Sequence, residues 1–533
     1  MSPPESTAST GVTPIDAASG RRGRSARLSA RRAVGPSPAV SPGLPGGTYR
    51  PLSDADLARI HKTALDILAT IGMGQAPAAL VELARSRGCT LHPVTGRLLF
   101  PRTLIEDAIA GAAREIHYHG RKAGQDVLSG GNRVYFATSG EAVRCVCPDT
   151  GAYRPSTLLD LYDFFRLADY LEHIDFCGQT VVANDICEDA RLHALNIAYA
   201  GAAGTTKPFS VSLADATTVG EVESLWDTLL GAEGAFRRAP FAAIGVCPVV
   251  SPLRFGPDTT GVLLEAARRG LPVSACSAPQ AGATAPAALA GALAQCTAEA
   301  LAIVTVVNLI NPGGPIDFGP WTFVADLRTG AFTGGSGEEA VLQAAAGQIA
   351  RYYGLPGIVA AGMTDAKRPD YQAGYEKGIT IALSALSGGN MIGECAGMMG
   401  SLLGCSLESM LLDNDLIGSV KRTLRGIEVN DDTLSLAEIE RTVLGAGHYL
   451  GNAATLGLMQ SEYLYPQVAD RSPLAEWQYR GAPEIIATAR REVARILGTH
   501  YPDHLDPVRD ASVRERFPIR LAAEQLRPGN GRW

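Results

Sequence analysis

The sequence predicts an α/β protein: a closed (β/α)8 TIM barrel with helical additions at both ends. Three observations carry this. From residue 130 onward, eight short apolar, β-branched or aromatic runs recur, at 133–138, 176–182, 208–213, 241–248, 272–277, 314–319, 357–362 and 390–395. Helical periodicity separates them, near 156–170, 188–202, 217–231, 258–269, 284–310, 337–353 and 370–387. Most strand runs are continuous rather than alternating, as expected when both faces of a parallel strand are covered. Eight such repeats suit closure. An open doubly wound sheet is the alternative, and it would place a Gly-rich phosphate turn after an early strand. Ser129-Gly130-Gly131-Asn132 precedes a strand instead, and the stretch 400–404 lacks the lysine of a P-loop.

The flanking elements follow from caps and periodicity. Ser53 reads as an N-cap before Leu57, Ile60, Ala64, Leu68 and Ile71, spaced for one helical face, and Gly72 and Gly74 close that helix. Further helical patterns lie near 76–86 and 102–113. Residues 49–130 therefore form an N-terminal helical region and 131–405 the barrel. Residues 406–533 form a C-terminal helical region, with segments near 406–418, 435–446 and 479–497, and a polar wrapping tail from about 500. The stretch 285–310 is the most apolar, but Gln295, Thr297 and Glu299 interrupt it, which fits a buried helix and no membrane span.

Residues 1–48 are rich in Ser, Pro and Arg and poor in large apolar side chains, so they read as a disordered tail. No apolar segment follows Arg21-Arg22 or Arg31-Arg32, which removes a secretory signal. A basic arm for an anionic partner is the alternative for this tail. The tail holds six Arg against Glu5 and Asp16. The other 485 residues carry 41 basic against 52 acidic side chains, a net of −11. That acidic body argues against a nucleic-acid binder. The ten cysteines form no CxxC, and Cys145-x-Cys147 has no partner pair, so a zinc site is not expected. Scattered thiols fit a reducing, cytoplasmic setting.

In such barrels the chemistry sits at the carboxyl ends of the strands. Here those ends carry Glu141, Asn184-Asp185, Cys247, Asp317-Phe318-Gly319-Pro320-Trp321 and Glu394-Cys395, with Asp326 and Arg328 close behind the sixth. The densest polar cluster follows the seventh strand. Pro369 suits a first helical position, Gln372 and Glu376 share one helical face, and so do Tyr371 and Tyr375. His448 is a lone histidine without HExxH or GxSxG company, which argues against zinc-protease and triad chemistry.

Several blocks in order carry a resemblance. They include "DILATIGMG", "TTKPFSVS", "VSPLRF", "ADLRTG…GSGEE", "TDAKRPDYQAGYEKG", "SGGNMIGECAGMM" and "WQYRGAPEII", spread from about 51 to 505. The chain resembles the trimethylamine methyltransferase (MttB-like) family of corrinoid-dependent methyltransferases. The resemblance implies a (β/α)8 barrel that passes a methyl group from a methylated amine to the Co(I) corrinoid of a separate carrier protein. Founding members carry pyrrolysine in a loop near the end of strand seven. Ordinary residues fill Thr364 to Asp370 here, which implies the non-pyrrolysine branch, some of whose members demethylate glycine betaine or related quaternary amines. Ala454 stands where the family often has the His of a His-Thr pair.

The chemistry implied is methyl transfer from a fixed cation, which aromatic faces and carboxylates can hold. The cage candidates are Trp321, Phe318, Tyr135, Tyr371 and Tyr375; the carboxylate candidates are Asp326, Asp370, Glu376 and Glu394. Arg328, Lys367, Arg368, Gln372 or His448 would serve a betaine carboxylate. The sequence has no corrinoid-anchoring DxHxxG, so cobalamin is expected on the partner and not held tightly by this chain. Two other readings stay open: a non-catalytic barrel that senses or scavenges a quaternary amine, and a lyase or hydrolase using Glu376 as base. A homo-oligomer also stays open.

Overall fold

Continuous apolar runs can be buried on both faces only if something covers each face, and a ring of parallel strands wrapped in helices does that. In the computed structural model, which describes residues 39–138, 140–147 and 150–533, the eight runs form such a ring. The strands are β1 (Arg133–Thr138), β2 (Phe176–Gly178), β3 (Phe209–Ser212), β4 (Ala242–Val246), β5 (Val273–Ser277), β6 (Gly319–Pro320), β7 (Ile358–Ala360) and β8 (Met391–Gly393). Neighbours pair in chain order from β1 to β6, and β8 joins β7 to β1, all in parallel. Closure comes between β6 and β7, through a parallel bridge from Phe318 to Gly357. There Phe318 N–H donates to Pro356 O at 2.8 Å and Ile358 N–H to Phe318 O at 3.1 Å.

β6 begins later than expected. Pro315 and Pro320 lack the N–H that a ladder needs. The run 314–319 still lies in the barrel, since Ile316 bridges to Val273.

One helix follows each strand: α1 (Leu158–Tyr170), α2 (Ala190–Gly204), α3 (Val219–Leu230), α4 (Pro257–Arg269), α5 (Leu289–Ile310), α6 (Gly337–Tyr353), α7 (Tyr371–Ser387) and α8 (Leu407–Arg425). Five of these helices start on a capping side chain, and α7 starts at Tyr371 with Asp370 as its cap, so Pro369 stands before the helix and not at its first position. Thr157 and Asp160 form a capping box on α1, Ser336 caps α6 and Asp370 caps α7. α5 is long and apolar enough to cross a membrane, yet 89% of its most apolar window is buried against the barrel. Its Glu299 explains the polar interruption: the carboxylate accepts from Ser251 Oγ, Ser277 Oγ and Leu253 N–H and so fixes the loop after β4.

The N-terminal region closes the amino ends of the strands. A capping box at Ser53 starts the helix Asp54–Asp66, and Gly72 ends its extension. The hairpin Glu115–Tyr118/Val127–Gly130 covers the floor, with His119 N–H bonded to Pro240 O and Arg121 N–H to Thr206 O. Of the expected tail, residues 1–38 lie outside the described residues. Leu44–Pro45 instead pairs antiparallel with β1. The last residues return to α1, where Trp533 Nε1 donates to Asp163 at 3.0 Å and Arg532 pairs with Asp160 at 2.8 Å. A helix at Pro507–Arg516 precedes them.

Residues 428–464 cluster as a separate unit of short helices. Asn430 caps its first helix and Asn452 Nδ2 reaches Thr442 Oγ1 at 3.2 Å.

Candidate functional site

Residues from β1–β5, β7 and β8, with those flanking β6, line one cavity of about 510 Å3 that opens at the carboxyl ends of the strands. Three carboxylates face it: Glu141 after β1, Asp317 before β6 and Glu394 after β8. Three aromatic rings do too: Phe176 on β2, and Trp321 and Phe323 after β6. Gln179, His193 and Ser212 add neutral polar groups. Among the described lining residues there is no Arg or Lys.

The backbone is bent to present the acids. Glu141 and Glu394 both adopt left-handed φ, +48° and +64°, which non-glycine residues rarely do. Gly140 makes room for Glu394: a Cβ at that position would lie 2.3 Å from Glu394 Oε2. Glu141 accepts from Ser212 Oγ. Burial raises its pKa, with the Ser212 bond opposing the shift. Asp317 is 2% exposed at the floor, where Tyr118 Oη donates to Oδ2 at 3.2 Å and Oδ1 accepts no bond. Burial pushes its carboxyl up to about 7. Glu339, in the first turn of α6, is fully buried with neither oxygen bonded. Burial, then the charges of Asp365, Glu394 and Glu376, raises its pKa well above the usual range. The β6–β8 side of the barrel thus concentrates acid, and part of it is held protonated.

Trp321 is fixed in the wall by its indole N–H, which donates to Ile358 O at 3.1 Å, and it meets Phe323 edge-on at 6.3 Å. Phe176 packs edge-on against Tyr118 at 5.2 Å.

Of the residues singled out from sequence, Trp321 and Glu394 line this cavity. The others lie elsewhere. Tyr135 is buried in the lower layer of the barrel, its hydroxyl accepting from Leu128 N–H at 3.4 Å beneath the hairpin. Phe318 turns outward onto Tyr353 of α6, at 5.6 Å. Asp326 pairs with exposed Arg328 in a turn. Asp370 caps α7. Tyr375 is exposed and meets Tyr371 at a tilt, with ring centroids 5.6 Å apart. Glu376 is buried but occupied: it accepts from Thr364 Oγ1 at 2.5 Å, Asp365 N–H at 2.8 Å and Gln372 Nε2 at 2.8 Å, which braces the loop after β7. His448 lies exposed in the separate 428–464 unit. Glu141, Asp317 and Cys247 were noted at strand ends but not placed among the binding candidates, and Phe176, Phe323 and Cys276 were not singled out at all. Position at a carboxyl end was a true signal for Glu141, Glu394 and Cys247, whereas Asp317 precedes its strand and reaches the cavity from the floor.

Comparison with known proteins places the chain. A family profile described as Trimethylamine methyltransferase (MTTB) matches residues 18–524. Trimethylamine methyltransferase MttB of Desulfitobacterium hafniense (strain DSM 10664 / DCB-2) is 30% identical over 463 residues, covering 87% of this chain and 92% of that protein. Glycine betaine methyltransferase of Desulfitobacterium hafniense (strain Y51) is 28% identical over 470 residues, covering 87% and 96%. Among solved structures, the Methanosarcina barkeri monomethylamine methyltransferase (MtmB) aligns over 83% of this chain and 94% of that one, at 13% identity and a TM-score of 0.41. The chain belongs to the trimethylamine methyltransferase (MTTB) family and is a methyltransferase.

Proposed function

We propose that the barrel cavity holds a methylated amine with a fixed positive charge, a quaternary ammonium, and that the acceptor is the Co(I) corrinoid of a separate carrier protein. One observation carries this reading: three carboxylates and three aromatic rings face a small cavity in which no described lining residue is Arg or Lys. Such a lining favours a cation and offers π-faces to N-methyl groups.

When docked at the mouth, reduced cobalt supplies the nucleophile. The chain's own residues do the rest. Trp321, Phe176 and Phe323 confine the methyl groups, which turns a bimolecular collision into an oriented one. Glu394 and Glu141 hold the ammonium on the carboxyl-end side, where one methyl faces outward. The leaving amine is neutral, so no acid has to protonate it, and the carboxylates act by charge and position alone. Removing water from the cation strengthens these contacts. The cavity is sized for a small donor, so the far larger corrinoid macrocycle approaches only its mouth.

A purified protein mixed with reduced carrier, or with free cob(I)alamin, should show the spectral change of cobalt methylation with at least one quaternary amine in a broad panel. No change with any donor overturns the reading. A binding-only barrel predicts ligand-induced thermal stabilisation without that change, and relatives named as enzymes lend it no support.

A further inference from the structure

We propose that Cys247 and Cys276 form a reversible dithiol–disulfide site in the wall of the cavity, through which oxidant exposure alters the cavity itself. β4 and β5 run in parallel with Val246 opposite Ala275, so the next residues in step are Cys247 and Cys276. Both line the cavity. Paired strands lie about 4.8 Å apart, inside the roughly 4.4–6.8 Å span of Cα atoms that a disulfide bridges. Both thiols are free, and Cys247 is solvent-accessible although all of β4 before it is buried.

Their chemistry is asymmetric. Cys247 is the exposed member of the pair, with its Sγ donating to Val249 O at 3.7 Å, and the neighbouring Cys276 thiol lowers its pKa against burial. The neighbouring Cys247 and burial raise the pKa of Cys276, which is the less exposed of the two. Access therefore makes Cys247 the nucleophile and its less exposed neighbour the resolving thiol. With a peroxide as oxidant, the Cys247 thiolate attacks one oxygen. An S–O bond forms, the O–O bond breaks, and the departing hydroxide takes a proton. The Cys276 sulfur then displaces hydroxide from the sulfenic acid, forming S–S and breaking S–O. Two thiols lose two electrons, and hydrogen peroxide is reduced to two waters. A reducing dithiol reverses the exchange.

The fold supplies its own control. Cys145 and Cys405 are also partners in parallel strands. They are almost fully buried, and burial pushes Cys145 up to about 12 and Cys405 well above the ordinary thiol range. Proximity is equal there, but thiolate and access are missing.

Bridging removes two ionisable, polarisable thiols from the wall of a cavity read as holding a cation, which should weaken that binding; this consequence rests on the proposed donor class. The test treats the full chain with hydrogen peroxide, then measures intact mass and maps peptides. A loss of about 2 Da, one Cys247–Cys276 link and recovery with dithiothreitol are expected. Cys247→Ser and Cys276→Ser should each abolish the link, Cys145→Ser should not, and melting curves of the reduced variants check folding. No link, or a link at Cys145–Cys405 instead, overturns the site. Tetramethylammonium binding is then compared in the reduced and bridged protein. Equal affinity overturns the coupling, whereas no binding in the reduced protein overturns the donor class and leaves the peptide map to decide the dithiol site.

Discussion

Asp317 gives the sharpest quantitative handle on the cavity. Its carboxyl is 2% exposed beneath the barrel mouth and burial raises it to about 7. An aspartate in the unfolded chain titrates near 3.9. A folded value above the unfolded one means that folding favours the protonated form. The group is without penalty below about pH 4, and stability is lost as pH rises until the folded carboxyl has also ionised, near pH 7. A difference of about three pH units corresponds to roughly 4 kcal/mol, of which about 2 is present at pH 5 and nearly all at pH 8. Asp317→Asn keeps the shape and leaves an acceptor for Tyr118 Oη, but it cannot ionise. Any cost of the amide itself is independent of pH. The variant should therefore gain on the parent protein by roughly 2–3 kcal/mol between pH 5 and pH 8. Urea unfolding of both proteins across this range, followed by circular dichroism, measures the gap. Parallel stability profiles would refute the reasoning, because they would mean that Asp317 is charged or solvated in the folded protein.

Trp321→Leu should weaken tetramethylammonium binding by roughly 5- to 30-fold, the loss of about 1–2 kcal/mol of cation–π attraction; unchanged affinity by calorimetry would remove Trp321 from the cage. Glu376→Ala strips the acceptor from Thr364, Asp365 and Gln372. It should cost about 2–4 kcal/mol and speed proteolytic cleavage within 364–370; an unchanged cleavage rate counts against the brace. Lys377 and Asp413 form a buried pair at 2.7 Å, and Asp413 also accepts from Gly397 N–H and Ser409 Oγ. Lys377→Met leaves that carboxylate alone and should cost about 3–5 kcal/mol. Adding Asp413→Asn should recover part of the loss, and denaturation that shows no recovery would locate the damage elsewhere.

The barrel was legible because its signals are local. α6 was expected at 337–353 and spans that range, since Ser336 caps one end and Gly354, with left-handed φ, closes the other. The helix Pro507–Arg516 escaped notice because it is polar nearly all round, with Val513 its only buried residue. The site was only partly legible, for a reason of parity. Successive side chains of an extended chain face opposite ways. Asp317 points into the cavity and Phe318 out onto α6, and no composition rule separates two neighbours in one run. The polar cluster after β7 looked like chemistry because it is dense. Its density serves the loop, where Glu376 has already spent its oxygens on Thr364, Asp365 and Gln372. Glu339 lies buried in the first turn of α6 without lining the cavity, at a position where an acid ordinarily signals only a helix start.

The acids of the cavity hold more protons than their chemistry requires, and this ties ligand binding to proton release. Burial raises both Glu141 and Asp317. A fixed cation placed among them stabilises their ionised forms, so it lowers those pKa values. Linkage then runs both ways: the cation drives protons off, and affinity rises with pH until the empty cavity is already ionised. Asp317 puts the upper end of that rise near pH 7 and its steepest part below it. Tetramethylammonium is a suitable probe, because it brings charge and methyl groups with no titratable group of its own. Calorimetry at pH 7 in two buffers of different ionisation enthalpy counts the protons released. A fraction of a proton up to about one should leave per ligand bound, and Asp317→Asn should reduce the count. Identical heats in both buffers, with the ligand demonstrably bound, would mean that these carboxyls are already charged or do not face the cation, and the cation cage would have to be sought elsewhere on the barrel.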